Sequence, residues 1–320
     1  MIDLEMSLFS DLIALPHSAK RPGEKRQRWT ALYDSSGLRV DETNIVVAPR
    51  THRKFAAEYH KAPERIEVPA ELDICEDEVL YIGFARDHYG HFLLDSMSRM
   101  WAALDTQLPC VFLGAGKVSG DYFDEIMKSM RFSVLSPQRP TLYRKIWVPT
   151  PSLTVDRIAG NADAAHLTVT ERLNPRPSGH WEQPVFLSRL GFQSRARSFD
   201  TNRSQEARLE EQLKAAGYRV VHPEDLPFAE QVALFNECPK IVGLLGSAFH
   251  TGFFSRKTWA GKLGLLTFEK NKTRRYKLID SIKGYSAEYI KCTVVDTDDK
   301  RMEINVKRAM RQLHKHGFLD

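Results

Sequence analysis

Short apolar runs alternate with helical stretches along most of the chain, which is the pattern of parallel α/β layers. The alternation is most regular in the second half. There Asn202, with Gln205 three residues later, resembles a capping box that opens a helix, and Gly217 is placed to end it. A second helix is predicted over Phe228–Cys238. Five strands with intervening helices predict a Rossmann-like domain; the strands are Val185–Ser188, Arg219–His222, Lys240–Leu245, Leu263–Phe268 and Ile290–Val295.

The first half has the same alternation with less regular spacing. Its predicted strands are Asn44–Ala48, Val79–Phe84, Cys110–Leu113 and Ile146–Val148. The stretch Asn174–Gly179 holds two prolines and a glycine in six residues and is the clearest linker. We therefore predict a first domain over 1–178, a second over 179–299 and a C-terminal region over 300–320. That region contains a basic helix, Glu303–His316, for which packing back on the first domain is one arrangement.

Composition agrees with two domains of an ordinary globular protein. The chain has 320 residues, of which 42% are hydrophobic and 27% charged. Its four cysteines are widely separated and form no C-x-x-C pair, which argues against a zinc site and favours a reducing compartment. The N-terminal stretch lacks the regions of a signal peptide, and no apolar run approaches the ~20 residues that span a bilayer. A cytoplasmic protein is expected, free or at the inner face of the membrane.

Positive charge is clustered although the net charge is only +5. Such clusters suit phosphate-bearing ligands or an anionic membrane surface, and they equally suit solvated faces beside loops. Nucleic acid is a poorer partner, because no recognised binding module accompanies the charge. One cluster consists of Arg189, Arg195, Arg197 and Arg203, and the other of Lys270, Lys272, Arg274, Arg275 and Lys277.

A phosphate site is predicted at the carboxyl ends of the second domain's strands. The turn Gly246, Ser247, Ala248 lies between a buried strand and a helix, where free N–H groups and a close backbone approach favour a phosphate. Arg189 follows the first strand of the same domain, so the fold would bring it to the same edge. Each feature alone also has a purely structural interpretation, a steric glycine and a surface arginine. The turn lacks a G-x-G-x-x-G or P-loop spacing.

A candidate catalytic helix follows Gly90. Leu93, Met97, Met100, Trp101 and Leu104 recur at helical spacing and predict one apolar face. His91, Asp95 and Arg99 are spaced four residues apart and predict a polar stripe on the opposite face. This stripe would present a base, a carboxylate and a cation together. The alternative is a solvent-facing stripe with an Asp95–Arg99 pair.

No metal site is predicted. The carboxylates in Asp296–Asp299 lie between the last strand and the terminal helix, where Asp and Thr commonly serve as turn and cap residues. The histidines are scattered and do not form an H-E-x-x-H spacing.

Taken in order, these elements resemble glycosyltransferase family 61, a group also described under capsular polysaccharide biosynthesis. The resemblance spans about two thirds of the chain, from Val79 to Lys291. No single motif is diagnostic, but their order and spacing agree. The stretches that carry it are Gly90–Phe92 with Asp95 and Arg99, Leu187–Arg189, Gln205–Glu206, Asp225–Val232 and Ile241–His250.

The resemblance implies a GT-B-type fold, two Rossmann-like domains with a cleft between them, with acceptor bound mainly by the first and donor by the second. It also implies inversion at the sugar carbon, no obligate metal and no cofactor besides a nucleotide-sugar co-substrate, for which a UDP-sugar is favoured. By position, the donor site would comprise Arg189, Glu230, Gly246, Ser247, Ala248, His250 and Glu269, with Glu269 on the ribose. His91 or Asp95 would be the base, and Arg99 would face the acceptor or cleft.

The expected function is therefore an inverting transferase of bacterial surface or capsular polysaccharide synthesis, with a glycan or lipid-linked glycan as acceptor. The chain departs from many family members at Leu245, where histidine is common, at Thr251, where asparagine is common, and at Gln205. Two alternatives stay open: a pyruvyl or other phosphate-handling transferase on a similar fold, and a catalytically inactive nucleotide- or glycan-binding protein. Binding without donor hydrolysis would indicate the second.

Overall fold

The computed structural model describes residues 1–16, 30–44, 62–154, 156–173, 181–191, 200–268, 273–295 and 301–320. Within it the chain divides into two compact units, Met1–Ala165 and His166–Asp320. The predicted linker Asn174–Gly179, and all of the predicted strand Asn44–Ala48 except Asn44, lie outside the described residues.

The first unit contains a five-stranded sheet in the order β1-β5-β2-β3-β4. Three predicted strands are confirmed within β2, β3 and β5, whereas β1 and β4 were not predicted. β1 is antiparallel to β5 and the other neighbours are parallel. The bounds are Met6–Ala14 for β1, Asp73–Phe84 for β2, Cys110–Leu113 for β3, Val134–Leu135 for β4 and Thr141–Pro149 for β5.

The order of these strands creates a switch point in the first sheet. From β2 the chain adds β3 and β4 on one side and then returns to place β5 on the other. Open α/β sheets bind ligands beyond the carboxyl ends of the strands at such a point. The unit's helices are a 3₁₀ turn at Asp41–Thr43, a helical segment over 89–104, a 3₁₀ turn at Ala115–Lys117 and α1, Asp121–Met130.

The second unit contains a seven-stranded sheet in the order β7-β12-β11-β10-β9-β6-β8. The five strands from β8 to β11 in this order are parallel, and these are the five that the sequence predicts. Their pattern also has a switch point, between β6 and β9. The bounds are Val185–Leu187 for β6, Asp200–Thr201 for β7, Arg219–Val221 for β8, Lys240–Leu244 for β9, Lys262–Phe268 for β10, Ser286–Val295 for β11 and Arg301–Ile304 for β12.

The remaining helices follow the strands. Those of ten or more residues are α2, Ala164–Leu173; α3, Arg203–Ala215; α4, Phe228–Glu237; α5, Arg274–Lys283; and α6, Val306–Lys315. Two 3₁₀ helices, Pro223–Asp225 and Ser247–Phe254, complete the set among the described residues.

The N-cap prediction for α3 is confirmed, but the capping box is not. The Asn202 side chain accepts a hydrogen bond from the backbone N–H of Gln205, and Gly217 has a positive φ of 84° beyond the helix end. The Gln205 amide does not return to Asn202. It bonds to the Glu303 carboxylate and accepts from the N–H of Ile304, tying α3 to β12.

The C-terminal region belongs to the second unit. Val306, Ala309 and Leu313 of α6 are buried in the same core as Leu209 of α3 and Ile290 of β11. The apolar face of α6 is therefore buried inside this unit.

Candidate active site

The candidate catalytic segment begins just beyond the carboxyl end of β2. It starts with one α-helical turn, Tyr89–His91, continues as a π turn, Phe92–Ser96, and ends as a 3₁₀ helix, Met97–Leu104. π turns in helices are frequent at functional sites. The segment is therefore helical as predicted, but it does not keep one α-helical register.

His91 and Asp95 form a hydrogen-bonded pair within this segment. His91 Nδ1 lies 2.8 Å from Asp95 Oδ2, and Arg86 Nη1 donates to the same oxygen at 2.7 Å. The side chains of Asp95 and Arg86 are each 10% exposed, whereas that of His91 is 42% exposed. The pair is thus anchored on a buried carboxylate and reaches solvent through the imidazole.

The geometry also selects a tautomer for His91. Arg86 Nη1 lies 3.2 Å from His91 Nδ1, a longer contact than the one from Nδ1 to the carboxylate. A ring nitrogen can either accept from the guanidinium through its lone pair or donate its proton to the carboxylate. Because the contact with the carboxylate is the shorter one, we place the proton on Nδ1, which then donates to Asp95. His88 packs its ring 4.8 Å from the His91 ring. Nε2 is then the acceptor nitrogen that faces outward.

Arg99 is buried, so the alternative interpretation of a solvent-facing stripe is wrong. Arg99 is 4% exposed, and its guanidinium donates to the carbonyls of Pro149 and Glu42 at 2.9 and 2.5 Å. It also lies over the Tyr81 ring, and burial lowers its pKa. The cation on Asp95 is Arg86, so the alternative of an Asp95–Arg99 pair is also wrong.

The predicted apolar face is confirmed only in part. Leu93, Met97 and Met100 are buried as expected, but Phe92 and Leu94 are buried too. The π and 3₁₀ turns rotate successive side chains away from a period of 3.6 residues, so the segment is enclosed on most sides.

A small pocket opens beside this pair at the switch point of the first sheet. Asp95, Ser98 and Arg99 line it from the helical segment, Phe84 from the end of β2, and Pro151, Leu153 and Thr154 from the chain that follows β5. Arg99 contributes to this wall although its hydrogen bonds go to backbone carbonyls. A role for Arg99 toward the acceptor stays a prediction.

In the second unit, Arg189 and the Gly246 turn lie at the switch point between β6 and β9. These strands are adjacent and parallel, with Leu187 opposite Gly243. The residues that follow, Arg189 on one strand and Gly246 on the other, therefore lie at the same edge of the sheet. A Cβ at Gly243 would lie 3.1 Å from Leu187 and Phe249 atoms, so the strands and the following helix pack closely there.

The backbone of Arg189 is fixed by a hydrogen bond to a buried carboxylate. Its N–H donates to Glu206 Oε1 at 2.7 Å, and Glu206 is fully buried. The Arg189 guanidinium acts electrostatically on Tyr276, whose pKa is raised mainly by burial and is opposed by Arg189 and Arg275. Tyr276 in turn stacks on His250, with ring centroids 4.8 Å apart. Arg189, Tyr276 and His250 thus form one cluster.

Glu206 and Tyr276 are the residues of this cluster that sequence reasoning did not assign. Glu206 belongs to the Gln205–Glu206 stretch of the family resemblance, which was a usable signal. Tyr276 lies inside the second basic cluster, and an aromatic residue among cations is a weaker sequence signal.

The predicted phosphate turn has room for a ligand. Gly246 is extended, with φ −173°, and a Cβ there would meet only the carbonyl oxygen of Leu244, at 3.6 Å. The helix after it, Ser247–Phe254, is a 3₁₀ helix. Its first amides, at Ser247 and Ala248, have no carbonyl partner within the helix. The protein's own packing therefore does not require glycine at 246.

The other predicted residues are less well connected. Glu230 lies half-buried in the first turn of α4, and its side chain makes no hydrogen bond within the described part of the chain. The structure does not join it to Arg189. The residues that fall outside the described ranges are Glu269, Arg195, Arg197, Lys270, Lys272 and Asp296–Asp299.

Two further searches cover only the described ranges. They contain no group of three or more His, Cys, Asp or Glu side chains placed to hold a metal ion. They also contain no helix that is long and apolar enough to cross a membrane.

The chain thus has an α/β fold with one polar cluster beyond the carboxyl ends of the strands in each of its two sheets. The chain belongs to glycosyltransferase family 61, whose family model, Glycosyltransferase 61, matches residues 89–260. The match covers more than half of the chain, from the turn that carries His91 to beyond the Ser247–Phe254 helix. The protein is therefore a glycosyltransferase, with a sugar donor and an acceptor as substrates. No curated protein matches the chain.

Proposed function

We propose that this protein is an inverting, metal-independent glycosyltransferase that transfers a sugar from a nucleotide-sugar, with a UDP-sugar favoured, to a glycan or lipid-linked glycan. The resemblance to the capsular polysaccharide group supports a role in bacterial surface glycan synthesis. The observation that carries the mechanism is the His91–Asp95 hydrogen bond, in which the carboxylate residue lines a pocket and the imidazole side chain is 42% exposed.

In the proposed reaction, His91 Nε2 accepts the proton of the acceptor hydroxyl as its oxygen attacks the anomeric carbon. The bond from that carbon to the diphosphate oxygen breaks on the opposite face, so the configuration inverts. Asp95 orients the imidazole through Nδ1–H and stabilises the imidazolium that forms. Arg86 donates to the same carboxylate oxygen and holds it in place.

The leaving nucleoside diphosphate gathers negative charge, which the second unit's cluster is suited to accept. Arg189 offers a planar fork of donors, and the amides of Ser247 and Ala248 offer backbone donors beside an open glycine. Both supply charge stabilisation without a metal ion. Glu230 and Glu269 stay proposals for bracing the site and for the ribose hydroxyls.

A GT-B-type arrangement is part of the proposal. Each unit has a mostly parallel sheet with a switch point, and each carries its candidate residues at the carboxyl edge. These features support the first unit, with His91, as the acceptor domain, and the second, with Arg189, as the nucleotide domain.

Two of the three departures from common family residues lie in the interior of the second unit. Leu245 is 8% exposed, and its N–H donates to the carbonyl of Leu266. Thr251 is 1% exposed. The alternative of a catalytically inactive binding protein therefore stays open, and the turnover of the unaltered protein decides it.

Turnover of His91→Ala and Asp95→Asn tests the base. Loss of a general base costs about 10²–10⁴-fold in turnover, while nucleotide affinity should be retained because neither residue binds the donor. His314→Ala, an exposed histidine on α6, is the matched control and should keep normal turnover. If both variants stay folded, as judged by thermal unfolding, and turn over normally, the catalytic assignment is wrong.

Metal independence is tested with the same assay. Activity should persist after treatment with EDTA and should not depend on added magnesium or manganese. Complete loss with EDTA and recovery with either ion would contradict the proposal, with no consequence for the His91 assignment.

A further inference from the structure

Helix α6 presents a cationic face that the transferase site does not use. Its apolar side, Val306, Ala309 and Leu313, is buried in the core of the second unit. Its outer side is exposed at Lys307, Arg311, His314 and Lys315, with Arg308 half-buried between them. The helix contains no acidic residue.

This helix holds most of the net charge of the protein. The whole chain has 46 Lys and Arg against 41 Asp and Glu, a net charge of +5. The four Lys and Arg of α6 contribute +4 without a compensating acid, so the remainder of the chain is close to neutral. The helix therefore carries an uncompensated charge of +4 on one short element.

Lys307, Arg311 and Lys315 form a stripe on this face, which we call the α6 stripe. They are spaced four residues apart, so their side chains lie on one side over about 12 Å. Within the described part of the chain none of the three makes an ion pair. Two carboxylates of the same unit engage other groups: Glu288 lies 3.1 Å from His316, and Asp320 lies 3.9 Å from Lys240.

The neighbouring helix does not neutralise the stripe. Helix α3 packs beside α6 and exposes Arg208 and Lys214 together with one acid, Glu211. The exposed faces of the two helices are thus net positive together.

We propose that the α6 stripe binds the anionic headgroups of a membrane surface. A fluid anionic surface requires only aligned cations and no matching shape, and each Lys or Arg near it is worth about fivefold in affinity. Because no apolar side chain projects from this face, binding would be electrostatic and reversible, without insertion. It would weaken steeply with salt, since the Debye length is about 8 Å at physiological ionic strength.

Two other partners fit the face less well. Protein interfaces need apolar or aromatic anchors at their centre. The exposed large hydrophobic residues in the described part of the chain, Met1, Met6, Leu8, Leu38 and Ile74, all lie in the first unit. Single-stranded nucleic acid is bound through aromatic stacking, and α6 has no aromatic residue.

Sedimentation with lipid vesicles tests the proposal on the full-length protein. The protein should bind vesicles rich in phosphatidylserine and not vesicles of phosphatidylcholine alone, and raised salt should release it. The triple variant Lys307→Glu, Arg311→Glu, Lys315→Glu should bind at least about a hundredfold more weakly, since three favourable charges are removed and reversed.

The matched control makes the same change in net charge elsewhere. Lys128→Glu, Lys145→Glu, Lys257→Glu alters three exposed lysines scattered over both units and should bind nearly as the unaltered protein does. Thermal unfolding and nucleotide affinity establish that both variants are folded. Equal loss in both variants, binding to neutral vesicles, or tighter binding to an RNA or DNA probe at the same salt would each overturn the proposal.

Discussion

The position of Arg189 is fixed by hydrogen bonds at its backbone and at the preceding residue. Its N–H is fixed on the buried Glu206 carboxylate, and Ser188 before it bonds through its hydroxyl to Glu210. Both acceptors project from α3, the helix that follows β6. The turn after β6 is therefore anchored at two consecutive residues, and the Arg189 charge lies near enough to Tyr276 to oppose the rise in the Tyr276 pKa.

Replacing Arg189 with lysine should weaken nucleotide binding at least about tenfold. Lysine keeps the charge but loses the planar fork, and a charge-assisted hydrogen bond is worth about 1.5–3 kcal/mol. Calorimetric titration with UDP measures the effect. Arg208→Lys, on the exposed side of α3, is the control and should bind UDP normally. An unchanged affinity in Arg189→Lys would place this arginine outside the donor site.

Replacement by alanine should lower UDP affinity at Gly246 and protein stability at Gly243. A Cβ at Gly246 meets only one atom, at 3.6 Å, so Gly246→Ala should fold normally. It would nevertheless place a methyl group where a phosphate is proposed to approach, and should weaken UDP binding. A Cβ at Gly243 would meet three atoms at 3.1 Å, so Gly243→Ala should lower stability by about 1–3 kcal/mol.

Thermal unfolding and UDP titration of both variants separate these outcomes. Gly246→Ala should lose UDP affinity while keeping its stability. If Gly246 had only a structural role, its replacement would lower stability and UDP affinity together. Full UDP affinity in a folded Gly246→Ala variant would show that no ligand approaches this turn closely.

The pairing of His91 with Asp95 could be predicted because four-residue spacing survives the change from an α to a π turn. The position of Arg99 could not. A regular helix would carry residue 99 to the same side as 91 and 95, but the π turn followed by a 3₁₀ helix turns it toward the end of β5. Arg86 is the arginine that pairs with Asp95 instead. It precedes the helix, so the helical periodicity does not predict this ion pair.

Helix α5 rests on β11 through a buried acid. The Tyr289 hydroxyl donates to Asp280 Oδ2, and Lys277 lies over the Tyr289 ring. Burial raises the pKa of Asp280 to about 6 from 3.8, against the opposing effects of the Tyr289 hydrogen bond and the Lys277 charge. The folded state therefore favours the protonated acid. This contribution to stability is complete below about pH 4 and is lost as the pH rises through about 6.

Asp280→Asn should consequently stabilise the protein near neutral pH. The amide keeps an acceptor for Tyr289 and removes the cost of ionising a buried group, about 1–3 kcal/mol above pH 7. The gain should shrink as the pH approaches 4. Denaturant unfolding at both ends of this range measures it, with the exposed Asp124→Asn as control. A loss of stability that is equal at both pH values would contradict the prediction.

The strands β6, β9 and β10 could be predicted from the sequence because they are almost fully buried, so each is a nearly continuous apolar run between turn signals. β1 could not, since only its last three residues are buried and its outward half reads as a polar N-terminal stretch. β7 and β12 have two and four residues, which are too few to set a recognisable pattern. The cluster of Arg189, His250 and Tyr276 joins residues far apart in sequence. Its first two members followed from strand order, whereas Tyr276 depends on how α5 packs.

The division of labour between the two units can be tested by hydrogen exchange. If the second unit binds the nucleotide, UDP at a hundredfold excess over its Kd stabilises the bound state by about 2.7 kcal/mol. Amides that exchange through local opening around 188–191 and 245–250 should then be protected by up to about a hundredfold. Those over 86–99, around His91 and Asp95, should be unaffected by UDP alone.

The Arg189→Lys variant serves as the internal control, because the same concentration of UDP should protect its second-unit segments less. Protection of 86–99 by a glycan acceptor fragment would be the complementary result for the first unit. Protection by UDP that is concentrated at 86–99 and absent after β6 and β9 would reverse the assignment. The nucleotide would then bind beside the His91–Asp95 pair, and the carboxyl edge of the second sheet would need another ligand to account for its arginine and its open glycine.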